Sequence, residues 1–196
     1  MTTERGLSQS AHLPEIACAR GGTAFDPRDT VWSFRAGVQS VSMNFASMRN
    51  VDESILLSVK ATLLWYIENM AALHARNLFN CFQHFFRTLH GLDGKRRVRI
   101  TAAEIMNYRS VLTAETAWHL SAIGGAIKRW SDFGFPGVDR DAVELLDEIR
   151  LKGNLKGEAV RTMCPIDGPL SDTEYEGIIT SLNHAYADRS INVGWA

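Results

Sequence analysis

The chain has 196 residues, of which 45% are apolar, and a formal net charge of −1. That length predicts one or two small domains, and that apolar fraction excludes a disordered chain. A near-zero charge says nothing global about a nucleic-acid partner, so a DNA binder of this composition has to segregate its cations.

Three widely spaced cysteines, Cys18, Cys81 and Cys164, form no CxxC or Cys/His pattern. This points to a reducing, cytoplasmic setting and away from a zinc site. The N-terminal MTTERGLSQS has no apolar signal segment. No apolar run approaches the roughly 20 residues needed to cross a bilayer, so no membrane partner is expected.

Residues 1–24 are small, polar and Gly-containing, and read as a mobile leader. In the stretch that follows, Trp32 and Phe34 alternate with Val31, Ser33 and Arg35, and Val41, Met43 and Phe45 alternate with Ser42 and Asn44. Period-2 alternation on both sides of Gly37 predicts a β-hairpin, which should pack on the helices behind it.

From Val51 the period becomes helical. Asp52 or Ser54 can cap a helix reaching about Asn69, with Val59, Leu63, Tyr66 and Met70 on one side. After a break at Met70–Leu73, a helix is predicted from about His74 to Leu89, with Phe79, Phe82, Phe85, Phe86 and Leu89 on its apolar face. Arg76, Asn80, Gln83 and Arg87 recur at i, i+4, i+7 and i+11 as a separate polar stripe. Such stripes are commonly just solvated. This one contains no carboxylate, and its side chains can donate to phosphates and purine edges. In the loop that follows, Lys95, Arg96, Arg97 and Arg99 face a single acid, Asp93. A wet loop is the plain reading. Cations this close repel unless a polyanion neutralises them, which favours phosphate contact.

Thr101 and Glu104 form a capping-box pattern, so Glu104 reads as structural; Ile105, Tyr108 and Leu112 form the buried side of that helix. The next helix is predicted from Thr113 or Ala114 to about Phe133, with Leu120, Ile123, Ile127 and Trp130 along its seam. Gly124 and Gly125 would each cost about 1 kcal/mol there, which close approach of a neighbouring helix would offset. Thr116 and His119 flank the seam, and a lone His in this context reads as a surface or cap residue. Asp139 should cap the helix that follows Gly137. That helix carries an acidic outer face of Asp141, Glu144, Asp147 and Glu148. It reads as a wet amphipathic face turned away from any DNA, not as an acid/base pair.

A Lys/Gly-rich connector follows, and then a helix opened by Ser171 and Glu174 with Ile178, Ile179, Leu182 and Tyr186 as apolar positions. No nucleophile elbow, P-loop or metal-ligand spacing is present.

The order of these parts is similar to the N-terminal, DNA-binding part of the tyrosine recombinases, the phage-integrase family of site-specific recombinases. The likeness rests on HARNLFNCFQHFFRTL, ITAAEIMNY, AIKRWSDFGFPG, LKGNLKGEAVRT and PLSDTEYEGIITSL, in that order, over residues 74–196. It implies a mainly α fold: a small orthogonal four- to five-helix bundle, the SAM-like core-binding domain, over residues 51–151. Ahead of it lie the leader and hairpin of residues 1–50. An interdomain linker follows at 152–170, then one isolated helix, 171–196, opening a catalytic domain.

The resemblance further implies a clamp on double-stranded DNA, association with other protomers as a tetramer on DNA, and no metal or other cofactor. The family's nucleophilic tyrosine and its partner cations would lie beyond Ala196. Tyr175 and Tyr186 fall in the opening helix, so no catalytic residue is assigned, and the chain is expected to bind DNA without cutting it. It would be either a piece of a recombinase or a naturally shortened one.

In that family the first and third helices of the domain face the major groove. This makes Arg76, Asn77, Asn80, Gln83, Arg87, Thr116 and His119 candidates for base or phosphate contact, with Lys128 and Arg129 further along. Lys95, Arg96, Arg97 and Arg99 in the loop, and Lys152, Lys156 and Arg161 in the linker, are candidates for phosphate. For Arg129 and Arg161, a local ion pair with Asp132 or Glu158 is an equal alternative. Two other readings stay open: a stand-alone regulator occupying recombination sites, and a helical protein–protein module whose basic patches meet an acidic partner.

Overall fold

A computed structural model describes residues 12–149 and 172–192. The chain divides into two compact units, Met1–Gly153 and Asn154–Ala196. The predicted connector, with Lys152, Lys156 and Arg161, lies outside the described residues.

The first unit begins with a short ladder, β1 (Ala17–Cys18) antiparallel to β2 (Ala24–Phe25). The hairpin follows as β3 (Val31–Ala36) and β4 (Gln39–Asn44), in register from Val31↔Asn44 to Ala36↔Gln39. Its alternation sends Trp32, Phe34, Val41 and Met43 into the core. Gly37, at φ 61°, takes the left-handed conformation that the two-residue turn requires.

The expectation of a mobile leader fails for residues 12–24. Leu13, Ala17 and Ala19 are buried, Thr23 N donates to Arg35 O at 2.9 Å, and Arg20 N donates to Ile67 O at 3.1 Å. Small residues are used here because backbones meet: a Cβ at Gly22 would overlap the Arg35 carbonyl oxygen.

Among the described residues, five α-helices complete the unit. α1 (Glu53–Asn69) is capped by Asp52, whose carboxylate accepts from Ser54 N. α2 (Ala72–Asp93) runs a turn further than its apolar pattern suggests, because His90–Asp93 stay helical until Gly94, at φ 68°, ends the element. α3 (Ala102–Val111) has the predicted capping box, with both reciprocal bonds formed.

α4 (Trp118–Asp132) starts later than predicted. The Thr116 hydroxyl accepts from Thr113 N and lies 3.0 Å from the Thr113 hydroxyl, holding a turn ahead of the helix. α5 (Arg140–Glu148) has Asp139 at its N-cap position, but the carboxylate makes no cap bond and pairs with Arg99 instead.

α2 is central, packing on α1, α3, α4 and β4, while α5 packs on α3 and α4. Phe45, Phe82, Phe85, Phe86, Tyr108 and Trp130 are fully buried in one core together with Trp32 and Met43 of the hairpin. Hairpin and helices therefore share a single interior.

Lys60 of α1 clasps the two together. Its Nζ donates to the carbonyl oxygens of Pro27 (3.3 Å), Arg28 (3.2 Å) and Asp29 (2.7 Å), and it lies 5.1 Å from the Phe45 ring centre. Burial lowers its pKa, with Asp29 and Asp26 opposing. Three carbonyl dipoles satisfy all three ammonium hydrogens.

Of the paired glycines in α4, Gly124 is buried, whereas a Cβ at Gly125 would meet nothing within 4 Å. Close packing inside this unit therefore explains only the first. Among the described residues the molecule is mainly helical, a small bundle with a short hairpin ahead of it, as its periodicities predict. The second unit contributes α6 (Asp172–Asn192), on which Tyr175, Ile178, Ile179, Leu182 and Tyr186 are exposed.

Candidate nucleic-acid interface

The phenylalanines of α2 dictate where its polar side chains go. With Phe79, Phe82, Phe85, Phe86 and Leu89 turned into the core, the 3.6-residue repeat leaves Arg76, Asn80, Gln83 and Arg87 along one outer row. Asn80 and Arg87 are exposed, Arg76 and Gln83 partly so. None of the four has a hydrogen-bond or ion-pair partner among the described residues. Asn77 is exposed on the flank. His90 extends the row by a turn, and its Nδ1 lies 3.2 Å from the Lys95 carbonyl oxygen. Lys95, exposed beside it, makes no ion pair among the described residues.

His84 connects this row to the start of α4. Its Nδ1 is 2.7 Å from the Tyr108 hydroxyl, and its ring stands edge-on to His119 at 4.8 Å between centres. His119 in turn packs edge-on against Trp118 at 4.3 Å. Thr116 is half-buried, with its hydroxyl committed to Thr113. So the structure brings the row of α2 and the head of α4 together, through a residue that sequence reasoning passed over. The available signal was positional: His84 sits at the seam between the phenylalanine face and the polar row, one residue after Gln83.

Both imidazoles are held below their ordinary pKa. For His84 the cause is burial and then the Arg87 charge; for His119 it is burial and then His84. The Nδ1 of His119 is buried with no partner. Burial also raises the pKa of the Tyr108 hydroxyl and pushes the nearby Cys81 thiol up to about 11, which makes that cysteine an inert core residue.

The basic loop is organised differently from the expectation of four phosphate-seeking cations. It threads as an extended strand between the starts of α1 and α5: Arg97 N donates to Asn50 O (2.8 Å), and Ile100 N to Gly137 O (2.7 Å). Arg97 points inward with 8% of its side chain exposed. It meets Asp93 at 2.6 Å, Glu104 at 3.2 Å and the Leu89 carbonyl at 2.8 Å. The hydrogen bond from the Arg97 guanidinium, then that from Lys95 N, with the Arg97 charge behind them, hold the Asp93 carboxyl below the usual range. At the more buried Glu104, desolvation outweighs the same charge and raises the pKa. A guanidinium fixed this way is a strut, not a phosphate ligand, which corrects the reading of Arg97.

Arg96 pairs with Asp52 at 3.7 Å, and Arg99 with Asp139 at 3.2 Å, both with side chains more than half exposed. Exposed pairs of this kind are worth about 0–1 kcal/mol, so a polyanion can compete for both arginines. Lys128 pairs with Asp147 of α5 at 3.0 Å. The acidic helix is therefore not turned away from every candidate cation. Arg129 stacks over Trp65 at 4.3 Å, and among the described residues it forms no ion pair with Asp132.

Among the described residues no group of three His, Cys, Asp or Glu side chains is placed to hold a metal ion. No helix among them is long and apolar enough to cross a membrane. Hydrogen-bond donors dominate the α2 row, and donors without acids suit a polyanion or an acidic partner. No protein-family model, no characterised protein and no solved structure matches this chain.

Proposed function

We propose that the chain is the DNA-binding portion of a site-specific tyrosine recombinase of the phage-integrase kind. It would hold duplex DNA at recombination sites through the outer row of α2 and the head of α4, in company with other recombinase protomers. The observation that carries this reading is the row Arg76–Asn80–Gln83–Arg87. It has no acidic partner among the described residues, whereas Arg96, Arg97, Arg99 and Lys128 are all paired with acids. An unneutralised donor row is what a phosphate backbone takes up, and the amide side chains between the arginines suit base edges. No strand-cleaving residue is assigned in this chain.

The test is a fluorescence-anisotropy titration of the full chain with duplex DNA at low and rising salt. Binding should weaken linearly on a log–log plot, and replacing Arg76 and Arg87 together should flatten the slope by about 0.9 for each phosphate no longer neutralised. A chain indifferent to duplex at low salt refutes the reading.

The competing reading, a helical protein–protein module, draws on a different place: the partly exposed cluster of Trp65, Phe133 and Phe135 capped by Arg129. Capture of a protein partner that is abolished by Trp65→Ala, together with indifference to DNA, would favour it.

A further inference from the structure

The row on α2 is flanked by a titratable group to which the interface proposed above assigns no contact with DNA. His84 is anchored at one nitrogen and open at the other. Its Nδ1 is fixed by the Tyr108 hydroxyl at 2.7 Å, and its Nε2 has no partner among the described residues, on a ring that is partly exposed. We propose that His84 is a proton-dependent phosphate contact: duplex DNA docking on the α2 face binds best when His84 carries a second proton, so that association takes up one proton from solvent. This rests on the DNA-binding reading above and adds a residue and a condition to it.

The bonding supports a single titrating site. The His84 cation donates from both nitrogens, Nδ1 to the Tyr108 oxygen and Nε2 to an incoming phosphate oxygen, so both of its own N–H groups are satisfied, at the cost of any bond the Tyr108 hydroxyl donates to the neutral ring. His119 is built the other way. Its Nδ1 is buried without a partner, and a proton there would leave an unpaired N–H inside the protein. A second proton on His119 is therefore disfavoured, and its ring serves as the support on which His84 rests.

The groups that bear on the pair come from three helices. Arg87 and Cys81 lie on α2, the latter acting on Tyr108; Tyr108 comes from α3 and His119 from α4. No carboxylate among the described residues pairs with either ring. With water partly excluded and Arg87 nearby, the free protein biases His84 towards its neutral form. A phosphate brought beside it supplies the opposite charge that its surroundings lack.

The experiment measures affinity of the full chain for a short mixed-sequence duplex at constant low ionic strength across the imidazole range, from about pH 7.5 to about pH 5.5. Wild type should bind more tightly as pH falls, by at most ~tenfold per pH unit for one linked proton. Its salt slope at the acid end should be steeper by roughly 0.9. His84→Gln should remove most of that pH dependence. The imidazole resonances of His84 should titrate at higher pH in the complex than in the free chain, a displacement that a merely structural histidine would not show. A melting curve at neutral pH checks that the variant is folded.

Duplex binding that is flat with pH, or a pH dependence that survives in folded His84→Gln, overturns this inference and leaves the DNA-binding reading standing. No duplex binding at either pH overturns both.

Discussion

Two arginines near each other in sequence, Arg87 and Arg97, have opposite fates. Arg97 lies between Asp93 and Glu104 with 8% of its side chain exposed. Arg87 stands exposed on α2 with no partner among the described residues. The residue type is the same, and what differs is whether the fold supplies acids. A buried guanidinium with two carboxylates holds elements together, whereas an exposed one without any is available to something outside the chain. Counting basic residues merges these roles, and only the neighbours separate them.

The sharpest way to break this contrast is to remove the strut. Arg97→Ala leaves Glu104 buried without its counter-charge and should destabilise the first unit by about 3 kcal/mol, as loss of one partner of a buried pair does. Denaturant unfolding of the full chain, followed by tryptophan fluorescence, would measure it. A change under about 0.5 kcal/mol would mean that the pair is not the strut described. Lys60→Ala should follow at about 2 kcal/mol, because three carbonyl oxygens lose one charged donor. Its unfolding transition should show earlier loss of the Trp32 environment.

Replacing both Arg76 and Arg87 by Ala should move stability by no more than about 0.5 kcal/mol while lowering duplex affinity, which sharpens the contrast from the other side. A large fall in stability would show that the row is structural after all.

Acid offers a subtler probe. The folded state holds His84 and His119 below their ordinary pKa, mainly by burial, so below that value the unfolded chain binds more protons than the folded one. Their contribution to stability is therefore complete above about pH 6.5 and declines as pH falls through the range beneath it. Thermal melts between neutral and mildly acidic buffer should show this, with a shallower decline in His84→Gln. The smallest effect belongs to Arg99→Ala, whose exposed pair with Asp139 should be worth about 0–1 kcal/mol in the same assay.

Much of the fold was legible because it follows from repeat length. The hairpin alternation around Gly37, the capping box at Thr101–Glu104 and the phenylalanine face of α2 are local patterns with one physical solution. The misread features were decided by distant partners. Asp139 has the sequence of a helix cap, yet Arg99, from the loop ahead of α3, takes its carboxylate. Leu13, Ala17 and Ala19 read as leader because nothing near them in sequence reveals the α1 backbone that Arg20 bonds.

The same limit governed the site. The α2 row was visible as a spacing, but that Arg97 turns inward and His84 stays partly open depends on Glu104, Tyr108 and His119, which arrive from other helices.

The Lys60 clasp has a practical consequence for anyone dissecting this protein. A version trimmed to begin at Val51 would keep every helix of the bundle, yet would uncover the aromatic surface against which Trp32 and Phe45 rest, including Phe79. It would also take away the carbonyls that receive the Lys60 ammonium and leave that group to be hydrated beside the newly opened apolar surface. Such a trimmed version should be sticky and poorly soluble, and the shortest well-behaved piece has to start ahead of Leu13.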